Sequence, residues 1–144
     1  MRPSTLYQAC ERIRGGEPVW KAVAEVLDVF YSAPDAAARL AVICDEPERT
    51  GDERSDALMA AAAEYLARQH RLGEVPSWTS DPTRRLREPW FTTSVDSPGI
   101  QEFLAFSSPA EFRSRNIFTE ERPLRRASER TAEIAEEALR APAP

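Results

Sequence analysis

The chain has one histidine, one lysine, two cysteines and five glycines among its 144 residues. A single imidazole, His70, leaves no second ring for a histidine-based metal set, and no nucleophile–base pair stands out around it. Its place near the end of a helical stretch suits a group that hydrogen-bonds exposed carbonyls. None of the glycines falls in a G-x-G pattern, which excludes a glycine-rich phosphate loop. Cys10 and Cys44 sit far apart without a metal-ligand partner, so both read as small buried hydrophobes in a reducing compartment. No apolar run approaches the ~18 residues a membrane span needs. No leader-like segment opens the chain, so the sequence predicts a cytoplasmic location. No residue pattern asks for a cofactor or a metal. The acidic run Asp45 to Asp56 lacks the spacing of a calcium loop and reads as a solvated turn before a helix.

Charge is also modest. The formal net charge is −5, with 42% hydrophobic and 30% charged residues. This composition suits an ordinary globular protein and weighs against a dedicated nucleic-acid binder, which would present a strongly basic face. Residues 1–75 carry thirteen acids against nine bases, whereas residues 76–127 carry seven against eight. The asymmetry is mild and likewise argues against a dedicated nucleic-acid binder.

What is present falls into two kinds of sequence. The first 73 residues read as four amphipathic helices joined by short connections, which favours antiparallel neighbours. The first is expected from Ser4, as N-cap, to Arg14, with Gly15-Gly16 ending it. A second starts with Pro18 in its first turn and runs to about Tyr31, with Trp20, Val23, Val26, Leu27, Phe30 and Tyr31 on one apolar stripe. A third starts near Pro34-Asp35 and ends before Pro47. A fourth runs from Asp52 to Leu72, with Gly73 as its left-handed stop. Leu58, Ala62, Tyr65 and Leu66 form its stripe, and Ala60 to Ala63 offer a small-residue surface.

From Glu74 the pattern changes. Between Pro76 and Ala127 lie two of the three Trp, five of the six Phe and six of the twelve Pro. Proline forbids long regular elements, while the aromatics supply buried area. An ordered, irregular segment wrapped on the helices is expected, pinned by Trp78, Leu86, Trp90 and Phe91. Two short helices follow. Ser97-Pro98 opens one anchored by Phe103, Leu104 and Phe106. Ser108-Pro109-Ala110-Glu111 forms a capping box for the other, which Asn116 ends. Ile117-Phe118 is an extended pair too short to count as a strand. A terminal helix is expected from Pro123 to about Leu139, before a frayed tail. The prediction is thus one all-α domain over 4–127: a helical bundle at 4–73, then the wrapping segment and short helices at 74–127. Residues 128–144 carry the rest of the terminal helix and the tail.

One group suggests binding. Arg84-Arg85-x-Arg87 precedes Pro89-Trp90-Phe91; Arg113-Ser114-Arg115, together with Arg122, Arg125 and Arg126, makes a second basic group. Such residues serve a protein interface, where Trp and Arg are enriched, or grip phosphates and stack on bases. Alternatively, the aromatics are core and the arginines pair with the acidic helices. An exposed face of Arg84, Arg85, Arg87, Arg113 and Arg115 is the expected partner contact.

GEVPSW, REPWF, SPAEFRSRNIF and the closing L-R-R-A together resemble an uncharacterised bacterial family of small helical proteins. Its pattern is Pro-x-Trp after a long Ala-rich helix, Pro-Trp-Phe, then Ser-Pro-x-x-Phe-Arg-x-Arg-x-Ile-Phe. LDVFY at Leu27–Tyr31 and TGDERSDAL at Thr50–Leu58 resemble it too, so the likeness covers about residues 6–127 and omits the terminal helix. Genes of this family often lie beside genes for nucleotidyltransferase-like toxins. The resemblance therefore implies a non-enzymatic, antitoxin-like partner protein and supplies no catalytic residues. A DNA-binding regulator reading with the short helix Pro109–Arg115 is the alternative, against which the net negative charge counts. Homo-oligomerisation is compatible with either.

Overall fold

The computed structural model describes residues 2–125. They are mostly helical, with six α-helices and a two-stranded sheet. The terminal helix expected beyond Pro123 lies, from residue 126 onward, outside the described residues.

Helix α1 (Leu6–Arg14) is capped one residue later than expected. Thr5 Oγ1 accepts from the Gln8 amide, while Ser4 donates its hydroxyl and amide to the Gln8 side chain. Gly16, at φ 104°, closes the helix in the left-handed conformation that costs glycine no Cβ clash. Helix α2 (Val19–Ser32) starts behind Pro18, and α3 (Ala36–Ile43) behind Asp35, whose carboxylate accepts from the Ala38 amide. Helix α4 (Glu53–Gln69) has Asp52 as its N-cap.

Gly73 is not the residue that stops α4. The helix ends at Gln69 and Arg71 takes the left-handed position at φ 49°. The amides of Leu72 and Arg71 bond back to the carbonyls of Ala67 and Arg68, the paired reverse bonds of a Schellman end. Buried Leu72 secures this turn, which outweighs the modest cost of a side chain at positive φ.

The larger departure concerns α4 itself. Instead of one stripe, every residue from Ser55 to Ala63 is buried. A helix covered all round must have neighbours all round. The second region supplies them: α4 packs against two 3-10 turns (Ser77–Ser80 and Pro82–Arg84) and against α6 (Ala110–Arg113). The alanine run makes that close approach possible without large side chains on the covered face. Core residues of α1 to α4 join Trp78, Phe112, Ile117 and Leu124 in one continuous cluster.

Strand β1 (Trp90–Phe91) pairs in parallel with β2 (Ile117–Phe118), Trp90 opposite Ile117. Ile117-Phe118 is thus a strand after all, because its partner sits 27 positions earlier and local pattern could not reveal it. Asn116 does take the left-handed conformation, at φ 64°. Its side-chain amide donates to the Leu86 carbonyl at 2.9 Å, stitching the wrap to the end of α6. Helix α5 (Pro98–Ser107) begins with Pro98 after Ser97. The expected capping box at Ser108 does not form. Its hydroxyl instead accepts from the Thr119 amide at 2.8 Å, so α6 begins without a side-chain cap.

Candidate functional site

The five arginines expected on one face divide between interior and surface. Arg84 is 1% exposed and Arg115 3% exposed. Both are corrections to the single exposed face. Arg84 donates to the Pro47 carbonyl at 2.7 Å and to the Asp56 carbonyl at 3.1 Å, lies 3.6 Å from Glu46, and stacks over Trp78. Burial lowers its pKa, with Arg49 adding repulsion and Glu46 and Asp56 opposing. Arg115 donates to the Thr79 carbonyl at 2.7 Å and to Glu64 at 3.1 Å. Arg84 therefore ties the second region to the first through backbone carbonyls, and Arg115 does so through the Glu64 carboxylate while also holding Thr79 within the second region, each as a charge-assisted donor. In both, Nε is buried with no hydrogen-bond partner, which limits the net gain.

Arg85, Arg87 and Arg113 remain exposed. The Leu86 amide donates to the Arg115 carbonyl and Asn116 to the carbonyls of Leu86 and Arg87, so the loop carrying Arg85 and Arg87 runs beside the end of α6. Within Pro109–Arg115, Phe112 and Arg115 face the interior, leaving Arg113 as the surface basic residue of the stretch proposed as a DNA reader.

Sequence reasoning placed Phe103 and Phe106 in the core, and the structure puts them outside. Phe103 is 63% and Phe106 81% exposed; of the three expected anchors of α5 only Leu104 is buried. Ile100, Phe103 and Phe106 recur every third residue along α5, the spacing of one helix face. The periodicity was legible; whether it faces core or solvent was not. Across from α5, Trp20 is also 42% exposed, because it leans on Trp90 at 6.2 Å between ring centres instead of entering the core. Trp20, Ile100 and Phe103 border a surface cavity of about 490 Å³, floored by Leu104 and edged by Thr92, Thr93 and Glu120. Trp20, Ile100, Phe103 and Phe106 thus leave large apolar side chains exposed on and beside α5.

Other candidates resolve more simply. Asp52 and Asp56 cap and brace the start of α4, Glu48 meets Arg14 and Glu46 faces Arg84, which accounts for much of the acidic run. Among the described residues no group of three or more His, Cys, Asp or Glu is placed to hold a metal. Cys10 is buried, and burial pushes its thiol up to about 12; Cys44 is exposed, contrary to expectation, because it caps the end of α3 beside Asp45. His70 caps the end of α4, accepting from the Arg39 guanidinium at 3.3 Å. No described helix is long and apolar enough to cross a membrane. No protein-family model matches the chain, and neither does any curated protein or solved structure.

Proposed function

We propose that this chain is a non-enzymatic protein-interaction module whose contact surface is the outer face of α5 with Trp20. The observation that carries this reading is the exposure of Phe103 and Phe106 on one helix face beside the Trp20 cavity. Large aromatics are the anchors of protein interfaces, and leaving two in water on one turn of helix has no benefit to the isolated fold. Exposed Arg85, Arg87 and Arg113 would add steering toward an acidic partner. Arg84 and Arg115 play no part in contact, since they hold the fold together. We read residues 4–127 as one domain, a helical bundle at 4–73 with the second region laid against it.

The family resemblance gives the partner its class: a nucleotidyltransferase-type toxin, restrained by an antitoxin-like chain that covers its nucleotide site. The test mixes purified chain with a nucleotidyltransferase-type toxin of that class and follows mass by gel filtration with light scattering. A stoichiometric complex is expected, lost in Phe103→Glu/Phe106→Glu with the helical circular dichroism unchanged. No complex, or one indifferent to the double substitution, overturns the reading.

A further inference from the structure

The contact face on α5 carries charge as well as apolar surface, and its sign is opposite to that of the exposed arginines. From Glu88 to Phe112 the chain has no Lys, Arg or His and four acids, Glu88, Asp96, Glu102 and Glu111. That stretch holds β1, the turn after it and the whole of α5. Asp96 and Glu102 are exposed, and among the described residues no base pairs with either. Glu102 follows one turn before Phe106 and adjoins Phe103, which puts its carboxylate at the margin of the exposed aromatic face.

Between α5 and Trp20, the cavity of about 490 Å³ is lined by Trp20, Ile100, Phe103, Leu104 and Pro123, with three threonines and Glu120. Its size is that of a ligand-holding cleft, and its lining suits a large apolar side chain. Bases beside this lining are already engaged. Lys21 pairs with Glu17 at 3.3 Å, Arg54 lies over the Trp90 ring, and Arg125 pairs with Glu120 at 2.9 Å. The last pairing spends the charge of Glu120, so the charge of the rim rests on Asp96 and Glu102. Exposed Arg85, Arg87 and Arg113 lie elsewhere, in and beside the end of α6.

We propose that the α5 cavity takes a basic amphipathic segment of the partner protein. A large apolar side chain enters beside Trp20 and Phe103, and flanking Lys or Arg side chains meet Asp96 and Glu102. This rests on the reading of α5 as the contact face, and adds the sign and character of what meets it. With arginines at the end of α6 and carboxylates along α5, one orientation of the partner brings opposite charges together at both. Charge then sets the orientation, while the apolar anchor supplies most of the affinity. The same acids repel the phosphates of a nucleic acid and the headgroups of an anionic membrane.

The test is fluorescence anisotropy: the full chain is titrated into a labelled amphipathic leucine–lysine peptide and, separately, its leucine–glutamate counterpart, at two chloride concentrations. The lysine peptide is expected to bind, less tightly at the higher salt, and the glutamate peptide at least ~10-fold more weakly. Asp96→Lys with Glu102→Lys should weaken the lysine peptide ~10-fold. Glu11→Lys with Glu74→Lys, the same change in net charge outside this stretch, should bind it as the parent does. Equal binding of the two peptides, binding of neither, or an equal loss in both charge variants would overturn the proposal. So would a concentration-dependent dimer in light scattering that Phe103→Glu/Phe106→Glu abolishes, with no peptide bound, because a second copy would then be the occupant. A toxin complex that depends on Phe103 and Phe106 while the lysine peptide fails to bind overturns this inference alone and leaves the contact face standing. A bound lysine peptide without a toxin complex supports the inference and removes the toxin as partner.

Discussion

The stretch Pro76–Phe91 and the helix Pro98–Ser107 are built from similar residues, proline-led and rich in aromatics, yet they use them in opposite directions. In the first, Trp78 is buried and its indole donates to the Ile43 carbonyl at 3.3 Å, with Arg84 stacked over it. In the second, Phe103 and Phe106 stand in solvent while Leu104 and the hydroxyls of Ser107 and Ser108, which reach the Thr119 carbonyl, hold the helix down. The difference lies in polar partners. The wrap carries donors that satisfy backbone carbonyls of the α3–α4 connection and of α4, so Trp78 can be sealed underneath while Trp90 and Phe91 stay half-buried. Helix α5 satisfies its own backbone and is held by Leu104 and two hydroxyls at its end, with no donor reaching from its aromatic face into the core. Hydrophobicity alone does not decide which aromatic becomes core.

Substitutions can break this contrast. Trp78→Ala should have the largest effect, about 3–5 kcal/mol lost in denaturant unfolding, from an emptied cavity and an orphaned carbonyl. Arg84→Ala and Arg115→Ala should each cost on the order of 3 kcal/mol, because buried carbonyls lose their donors. If either proved neutral, the two arginines would be passengers and the contrast would rest on packing alone. Asn116→Ala should cost about 1 kcal/mol through the bond to Leu86 and the poorer fit of alanine at positive φ.

A gentler probe of the wrap is its acid response. The amide and hydroxyl of Thr83 hold the Asp81 carboxyl below its ordinary 3.8, with Arg49 helping against a small burial effect. Because the folded value lies below the unfolded one, this contribution is complete above about pH 3.8 and disappears as pH falls through the folded value. Carboxyl NMR titration should place Asp81 below 3.8, and Thr83→Val should raise it. At the other end of the scale, Phe106→Ser should move stability by no more than ~0.5 kcal/mol, since the ring is already in water. A loss of several kcal/mol there would show that α5 is as deeply built into the fold as the wrap and would erase the distinction.

Local chemistry was the readable part. Asp52, Gly16 and Asn116 mark element ends by their own backbone preferences and side-chain acceptors, and the structure places them accordingly, while Pro18 and Asp35, expected within the first turns, stand one step earlier as N-caps. Where two neighbours competed for a role, as with Ser4 and Thr5 or Arg71 and Gly73, the sequence pointed to the wrong one by a residue or two. The candidate contact surface was half legible: Arg85, Arg87 and Arg113 are exposed as expected, but the aromatic face that now leads was read as core.

The sequence by itself determined the helical class, the four N-terminal helices and the place where proline ends regular structure, because capping and periodicity act over a few residues. Tertiary structure decided that Arg84 and Arg115 are interior, that Ile117-Phe118 finds Trp90-Phe91, that α4 is enclosed from Ser55 to Ala63, and that Phe103 and Phe106 are not covered. Burial is a property of neighbours, and the partners of Arg84 and Arg115 on α4 and beside it lie 28 to 51 residues away in the chain.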